Sequence, residues 1–267
     1  VVCTLEHEGT AKVFAFFPVW PNVDSQFALK VANRTVREYP EVFVPFLMPP
    51  GPNDVPPTAE ADTIRQMLED RPGLFQGYGE IGLYSLGTRR KASDYPPDAP
   101  IFLEIYPVAA NHNLMVYLHP GWGHERSLGR VLAAYSETNF IVHGEQIELE
   151  IGALMSEYPN VYFTVNDLYG DQYLLNNRES KQSFLAALAD FEPLLEKDLS
   201  TWKELIEEHP DRFVWGTDRG DAVWTFDREV GRTLADYGRA FIGRLDPSVQ
   251  ANFAYMNAER LISSAGD

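Results

Sequence analysis

Residues 114–144 read LMVYLHPGWGHERSLGRVLAAYSETNFIVHG. The segment opens on a run of apolar, β-favouring side chains that stops at His119 and passes through a Pro-Gly turn. It continues with helical periodicity, then returns to a second apolar run, FIV, that stops at His143 and is followed by glycine. This reads as one β-α-β unit. Its strands are apolar throughout rather than alternating, as parallel strands covered on both faces are.

The same alternation extends in both directions. Further strand-like runs lie at 12–17 (KVFAFF), 42–48 (VFVPFLM), 75–83 (FQGYGEIGL), 161–165 (VYFTV) and 212–216 (RFVWG). Helical periodicity fills 25–39, 59–70, 101–111, 126–136, 148–158 and 227–239. Thr58 is placed to cap the second of these. The stretch 181–208 is expected to hold two helical pieces broken near Pro193. Seven β-then-α units predict a parallel α/β fold, as an eight-stranded barrel or an open doubly wound sheet. Gly77, Gly79 and Gly82 have the G-x-G-x-x-G spacing of a dinucleotide loop, but they lie inside a strand and lead into Leu-Tyr-Ser rather than a helix. That match is accidental. By count the barrel is one strand short, and residues 1–8 read as the end of a helix leading into its second strand. The absence of an initiating Met fits an upstream segment that has been removed.

Composition narrows the function. A chain of 267 residues and this mass can bury roughly 70–75% of its extended surface, enough for one large core. Lys and Arg number 22 against 39 Asp and Glu, a formal charge of −17. A field of that sign disfavours polyanionic nucleic acid and anionic membrane surfaces, so neither is an expected partner. No apolar run is long enough to span a bilayer. The single cysteine, Cys3, excludes an internal disulfide and a cysteine-based metal cluster. The sequence assigns no compartment.

The chemistry sits where the strands end. Glu80, His119 and His143 close three successive runs, and Asp218 follows the last, in GYGEIGL, VYLHPG, IVHG and VWGTD. In a barrel, groups at the carboxyl ends of strands converge. Imidazoles and carboxylates brought together there suit a divalent metal, Zn²⁺ above all, with one position open to water. Each residue also has a plainer role. A histidine at a strand end often belongs to a loop, Asp218 can cap the segment after it, and Glu80 can be half of a buried ion pair.

In order and spacing these motifs resemble the amidohydrolase superfamily, in particular the amidohydrolase-related hydrolases and decarboxylases. FQGYGEIGLY resembles that family's fourth strand, LMVYLHPG its fifth, NFIVHG its sixth, PNVYFTVND its seventh and DRFVWGTD its eighth. The tail LDPSVQANFAYMNAERLI resembles its closing helix, which runs into Asn-Ala-x-x-Leu. The resemblance implies a (β/α)8 TIM-like barrel over 1–267 as a single domain, lacking its first strand, with a mononuclear or binuclear centre of Zn²⁺, or alternatively Mn²⁺. It implies that His119 is a metal ligand. His143 becomes a ligand or an acid–base group, Asp218 a ligand and proton acceptor, and Glu80 a ligand at a position that bridges two metals in some relatives. The family's first-strand His-x-His is absent from this sequence. His7 lies before the second strand and does not replace it.

Around this centre, His124, Trp122, Arg219, Asn166 and Asp167 are expected to contact substrate, with Trp224 as a further wall. The run Arg89–Lys91 lies in a polar loop over 84–100, either a lid for an anionic substrate or a solvated loop. The expected function is metal-dependent hydrolysis of a small-molecule ester, lactone, amide or phosphoester by a metal-activated water. A decarboxylase or hydratase on the same scaffold, or a degenerate non-catalytic barrel, are the alternatives. If strand one is truly missing, the open parallel edge needs cover from another segment or subunit, so a homo-oligomer is also an expectation.

Overall fold

The structure is a computed structural model, and it describes residues 1–18, 25–48, 60–83, 95–166, 168, 180–220 and 223–265. Helix α1 (Val2–Glu8) precedes a regular alternation: β1 (Val13–Pro18), α2 (Ser25–Glu38), β2 (Phe43–Met48), α3 (Ala61–Asp70), β3 (Gly77–Gly82), α4 (Pro100–Asn111) and β4 (Met115–His119). It continues with α5 (Glu125–Ala134), β5 (Phe140–Val142), α6 (Ile151–Glu157), β6 (Val161–Val165), α7 (Lys181–Ala187), α8 (Glu192–Glu208) and β7 (Phe213–Trp215). Helices α9 (Arg228–Ile242), α10 (Pro247–Ala251) and α11 (Asn257–Ala265) close the chain. The predicted strands are all present within a residue or two. The predicted break near Pro193 falls between α7 and α8, where Pro193 occupies the first turn of α8.

Among the described residues the sheet has seven strands in chain order, β1 through β7. From β1 to β6 every pairing is parallel. This order decides between the two predicted architectures. A doubly wound sheet reverses direction at a switch point, whereas here each strand joins the edge of the one before it, as in a barrel.

The chain forms two compact units, one of Lys12–Phe163 with Glu259–Asp267, the other of Val1–Ala11 with Thr164–Ala258. In the first, β3 and β4 are buried through Tyr78, Val116 and Leu118, all fully covered. Gly77 has no side chain because the Phe46 ring occupies the place of its Cβ. Helix α4 carries Pro107 in its interior. A proline there cannot donate to the carbonyl four residues back, that of Leu103, and the Tyr135 hydroxyl donates to this oxygen at 3.4 Å. Just before β6, the buried Asn160 amide donates to the carbonyls of Leu132, Tyr135 and Thr138 at 3.2, 3.0 and 3.0 Å. It ties the end of α5 and the loop after it to the start of β6.

In the second unit α1 packs on α9. Glu8 is buried against Gly231, where any Cβ would overlap its carboxylate. Arg219 grips that carboxylate with both guanidinium nitrogens, at 2.9 Å to Oε1 and in a short contact to Oε2, while Arg239 donates to the Glu8 carbonyl. Between α8 and α9 the buried Asp198 accepts from the Tyr237 hydroxyl. Asn257, the first residue of the tail motif, is fully buried and donates to the carbonyls of Pro210 and Phe213 at 3.0 and 2.7 Å. That accounts for an amide at this position: it pins the entry into β7.

Candidate metal centre

Strands β3, β4 and β5 bring Glu80, His119 and His143 together at their carboxyl ends. The β3–β4 register shifts between Tyr78 and Ile81, which places an irregularity at Gly79 and Glu80. Gly79 has φ 128°, and a Cβ there would strike the Tyr117 carbonyl, so only glycine lets β3 approach β4 this closely. The carboxylate that follows is half-buried. His119 and His143 are buried, at 8% and 3% exposure, and their rings lie 4.1 Å apart between centroids.

Glu80 Oε1 lies 3.2 Å from His119 Nδ1 and 3.0 Å from His143 Nε2. One potential ligand atom from each of the three residues falls within 4.8 Å of the others. Among the described residues this is the one His, Cys, Asp or Glu cluster of that kind. Burial pushes the Glu80 carboxyl up, but the charge of His143 and hydrogen bonds from both imidazoles outweigh it and hold the carboxylate well below the usual range. Burial and repulsion from His143 lower the His119 imidazole against the opposing pull of Glu80 and Gln146. The result is an anionic oxygen facing two imidazole nitrogens in a largely dry setting. Two nitrogens and one oxygen are a donor set that suits a borderline divalent cation. An aromatic wall backs the group: the Tyr117 ring lies 5.1 Å from that of His143, and Phe16 meets Tyr117 edge-on at 5.0 Å.

The remaining expected site residues are placed as follows. His124 is buried and its Nδ1 accepts from the Gly121 N–H at 2.9 Å, so this imidazole braces the loop between His119 and α5. Trp122, in the same loop, is 57% exposed. Asp218 belongs to the other compact unit, where it follows β7 with φ 46°, a left-handed conformation that non-glycine residues seldom adopt. Asn166, also of that unit, is buried at the end of β6. Arg219, expected to contact substrate, pairs with the buried Glu8 carboxylate, as a buried carboxylate demands a cation. Trp224 packs against Phe184 at 5.8 Å. Asp167, Thr58 and the Arg89–Lys91 run lie outside the described residues.

One neighbour of the group had no sequence signal of its own. Gln146, three residues beyond His143, places its Oε1 3.0 Å from His119 Nε2.

A barrel of parallel strands whose carboxyl ends gather imidazoles and a carboxylate defines a class of metal-centre proteins. Within it, the profile of the Amidohydrolase family (Amidohydro_2) matches residues 21–263, and the chain belongs to that family. No curated protein sequence matches the chain. Among solved structures it is similar to a zinc-bound amidohydrolase from Burkholderia multivorans, with TM-score 0.59, 11% identity, and coverage of 98% of this chain and 86% of that one. A probable 2-pyrone-4,6-dicarboxylic acid hydrolase from Acinetobacter baumannii, with citric acid bound, gives 0.56 at 12% identity, covering 98% and 87%. A dihydroxybenzoic acid decarboxylase from Polaromonas sp. JS666, with manganese and an inhibitor, gives 0.53 at 13%, covering 98% and 84%. At these identities the likeness is one of fold. It is to TIM-barrel proteins of this family, in agreement with the seven parallel strands seen here.

Proposed function

We propose that the chain is a metal-dependent hydrolase acting on a small-molecule ester, lactone, amide or phosphoester. The observation that carries this reading is the set of three donor atoms, from Glu80, His119 and His143, lying within 4.8 Å of one another. These residues would hold a divalent cation, Zn²⁺ or alternatively Mn²⁺, the metals in two of the similar structures. Bound there, such a cation supplies Lewis-acid polarisation of a carbonyl or phosphoryl oxygen and makes water more acidic.

The chain's own residues do the rest. Glu80 stays ionised and balances positive charge in a dry setting. His143 Nε2 binds the cation or gives a proton to the leaving group. Asp218 is proposed to accept a proton at its carboxylate, and Asp218→Asn should lower kcat by about 10²–10⁴-fold, the usual worth of a positioned general base. Asn166, Asp167, Trp122 and His124 remain candidates for substrate contact.

A second reading is supported by the similar fold of the dihydroxybenzoic acid decarboxylase, because one scaffold hosts several reactions. The deciding experiment pairs metal analysis by mass spectrometry with rates on two panels, esters and lactones against aromatic carboxylic acids. Metal-stimulated hydrolysis supports the proposal. Carbon dioxide release from the aromatic acids replaces it with the decarboxylase. Protein that binds no metal and gains no activity from added Zn²⁺ or Mn²⁺ overturns both.

A further inference from the structure

Asp218 is held in a conformation that its own residue type does not favour. Its φ of 46° puts a side chain on left-handed backbone, which persists in a non-glycine residue where the surroundings over-determine it. The next residue supplies those surroundings. Arg219 Nε donates back to Thr217 Oγ1 at 3.2 Å, so the two neighbours of Asp218 are bonded to each other across it. From the same guanidinium, Nη1 donates to Glu8 Oε1 at 2.9 Å and to the Thr225 carbonyl at 3.4 Å, and Nη2 donates to Glu8 Oε2. The cation also lies 5.7 Å from the centroid of the Phe226 ring.

The far end of this clamp is fixed as well. Glu8 closes α1, its carboxylate occupies the place a Cβ of Gly231 would take, and Arg239 donates to its carbonyl. Thr4 Oγ1 donates to the Phe226 carbonyl at 3.1 Å, which ties α1 a second time to the 3-10 turn Val223–Phe226. One arginine thereby joins α1, the turn after β7 and the approach to α9, all within one compact unit. Energetics narrow the role of the pair. Two apolar side chains in place of a buried ion pair often hold a fold as well or better. They have no direction, however, whereas a guanidinium fork fixes angles as well as distances, and the single ammonium of a lysine does not.

From this geometry we propose that Arg219, locked by Glu8, is a positioning residue that sets the backbone of the Thr217–Arg219 turn and with it the direction of the Asp218 carboxylate. The proposal rests on the reading of Asp218 as the proton acceptor, and it adds what aims that acceptor: a carboxylate contributed by α1, acting through one guanidinium.

The test uses the full chain carrying both Glu8→Leu and Arg219→Leu, which removes the fork without leaving a buried charge unpaired. Two readouts follow Asp218. In deuterated, ¹³C- and ¹⁵N-labelled protein, the Asp218 Cα and Cβ shifts should report left-handed backbone in wild type and should leave that range, or broaden, in the double variant. In Zn²⁺-loaded protein turning over p-nitrophenyl acetate, kcat should fall about 10²-fold, the effect of a small misplacement, with KM unchanged. In an Asp218→Asn background the same two changes should lower kcat little further, because residues that act as a unit are not additive. A merely structural role predicts equal losses in the two backgrounds. Should the double variant not fold, Arg219→Lys, which keeps a cation for Glu8 but loses the fork, takes its place with the same expected signature. Wild-type shifts outside the left-handed range, left-handed shifts retained in the variant, equal losses of kcat in the two backgrounds, or a raised KM at unchanged kcat each overturn the proposal. Protein in which added Zn²⁺ brings no hydrolysis overturns the proton-acceptor reading instead, and the Asp218 shifts then decide alone whether the clamp sets the turn.

Discussion

Replacing Arg219 with leucine should cost more stability than any exposed ion pair in this chain would. The Arg219 and Glu8 side chains are 5% and 2% exposed, and both guanidinium nitrogens engage the carboxylate. Leucine leaves that carboxylate buried without its cation, a change that costs about 3–5 kcal/mol. For a chain of this size each kcal/mol lowers the melting temperature by roughly 2–4 °C, so the midpoint should fall by roughly 6–20 °C. Urea unfolding followed by circular dichroism gives the free energy, and calorimetry gives the midpoint. The double variant Glu8→Leu with Arg219→Leu should recover much of the loss, since replacing both members of a buried pair with apolar groups is often near neutral. A loss under about 1 kcal/mol, the worth of a solvent-exposed pair, would refute the reasoning. A raised KM with unchanged stability would instead support the substrate-contact role expected for Arg219.

Three other substitutions probe the strand-rich unit. Gly144→Ala forces a side chain onto a left-handed backbone and into the His119 ring, and should cost about 1–3 kcal/mol while depleting bound metal, read by thermal melts and mass spectrometry. Asn160→Ala removes the amide that bonds the Leu132, Tyr135 and Thr138 carbonyls and should destabilise by about 1–3 kcal/mol in urea titrations. Glu80→Gln should lose most bound metal. Because the folded-state Glu80 carboxyl lies below its unfolded value, its contribution to metal-free stability holds above the ordinary glutamate range, about pH 4.3, and is lost as pH falls through its depressed folded value. Melts at pH 7 and in strong acid, wild type against Glu80→Gln, should therefore converge in acid.

Strand positions were legible because burial on both faces writes itself as unbroken apolar runs. LMVYLH and VYFTV could hardly be anything else between turn residues. Pro193 was legible as a break for the same local reason. The choice of barrel over doubly wound sheet was not legible from periodicity, which fixes each strand but not its neighbour; it came from the resemblance and then from the strand order. Within the site, Glu80, His119 and His143 stood out because polar side chains at the ends of apolar strands need partners. Gln146 did not, since a glutamine after a glycine turn looks like any polar loop residue until the fold lays it over the His119 ring. The pairing of Arg219 with Glu8 was not legible, because the two residues lie 211 positions apart. His124 reads in sequence as a candidate substrate contact; that its Nδ1 accepts from the Gly121 N–H is visible only in the fold.

Asn160 and Asn257 each cross-stitch peptide oxygens where a strand begins, whereas Glu80, His119 and His143 stand where strands finish. The starts of β6 and β7 and the ends of β3, β4 and β5 are thus under different constraints. The former are fastened by side-chain amides whose replacement unravels backbone, and the latter carry the candidate metal ligands. A scaffold divided in this way can trade the loops that meet a substrate without reworking the knots that keep it folded.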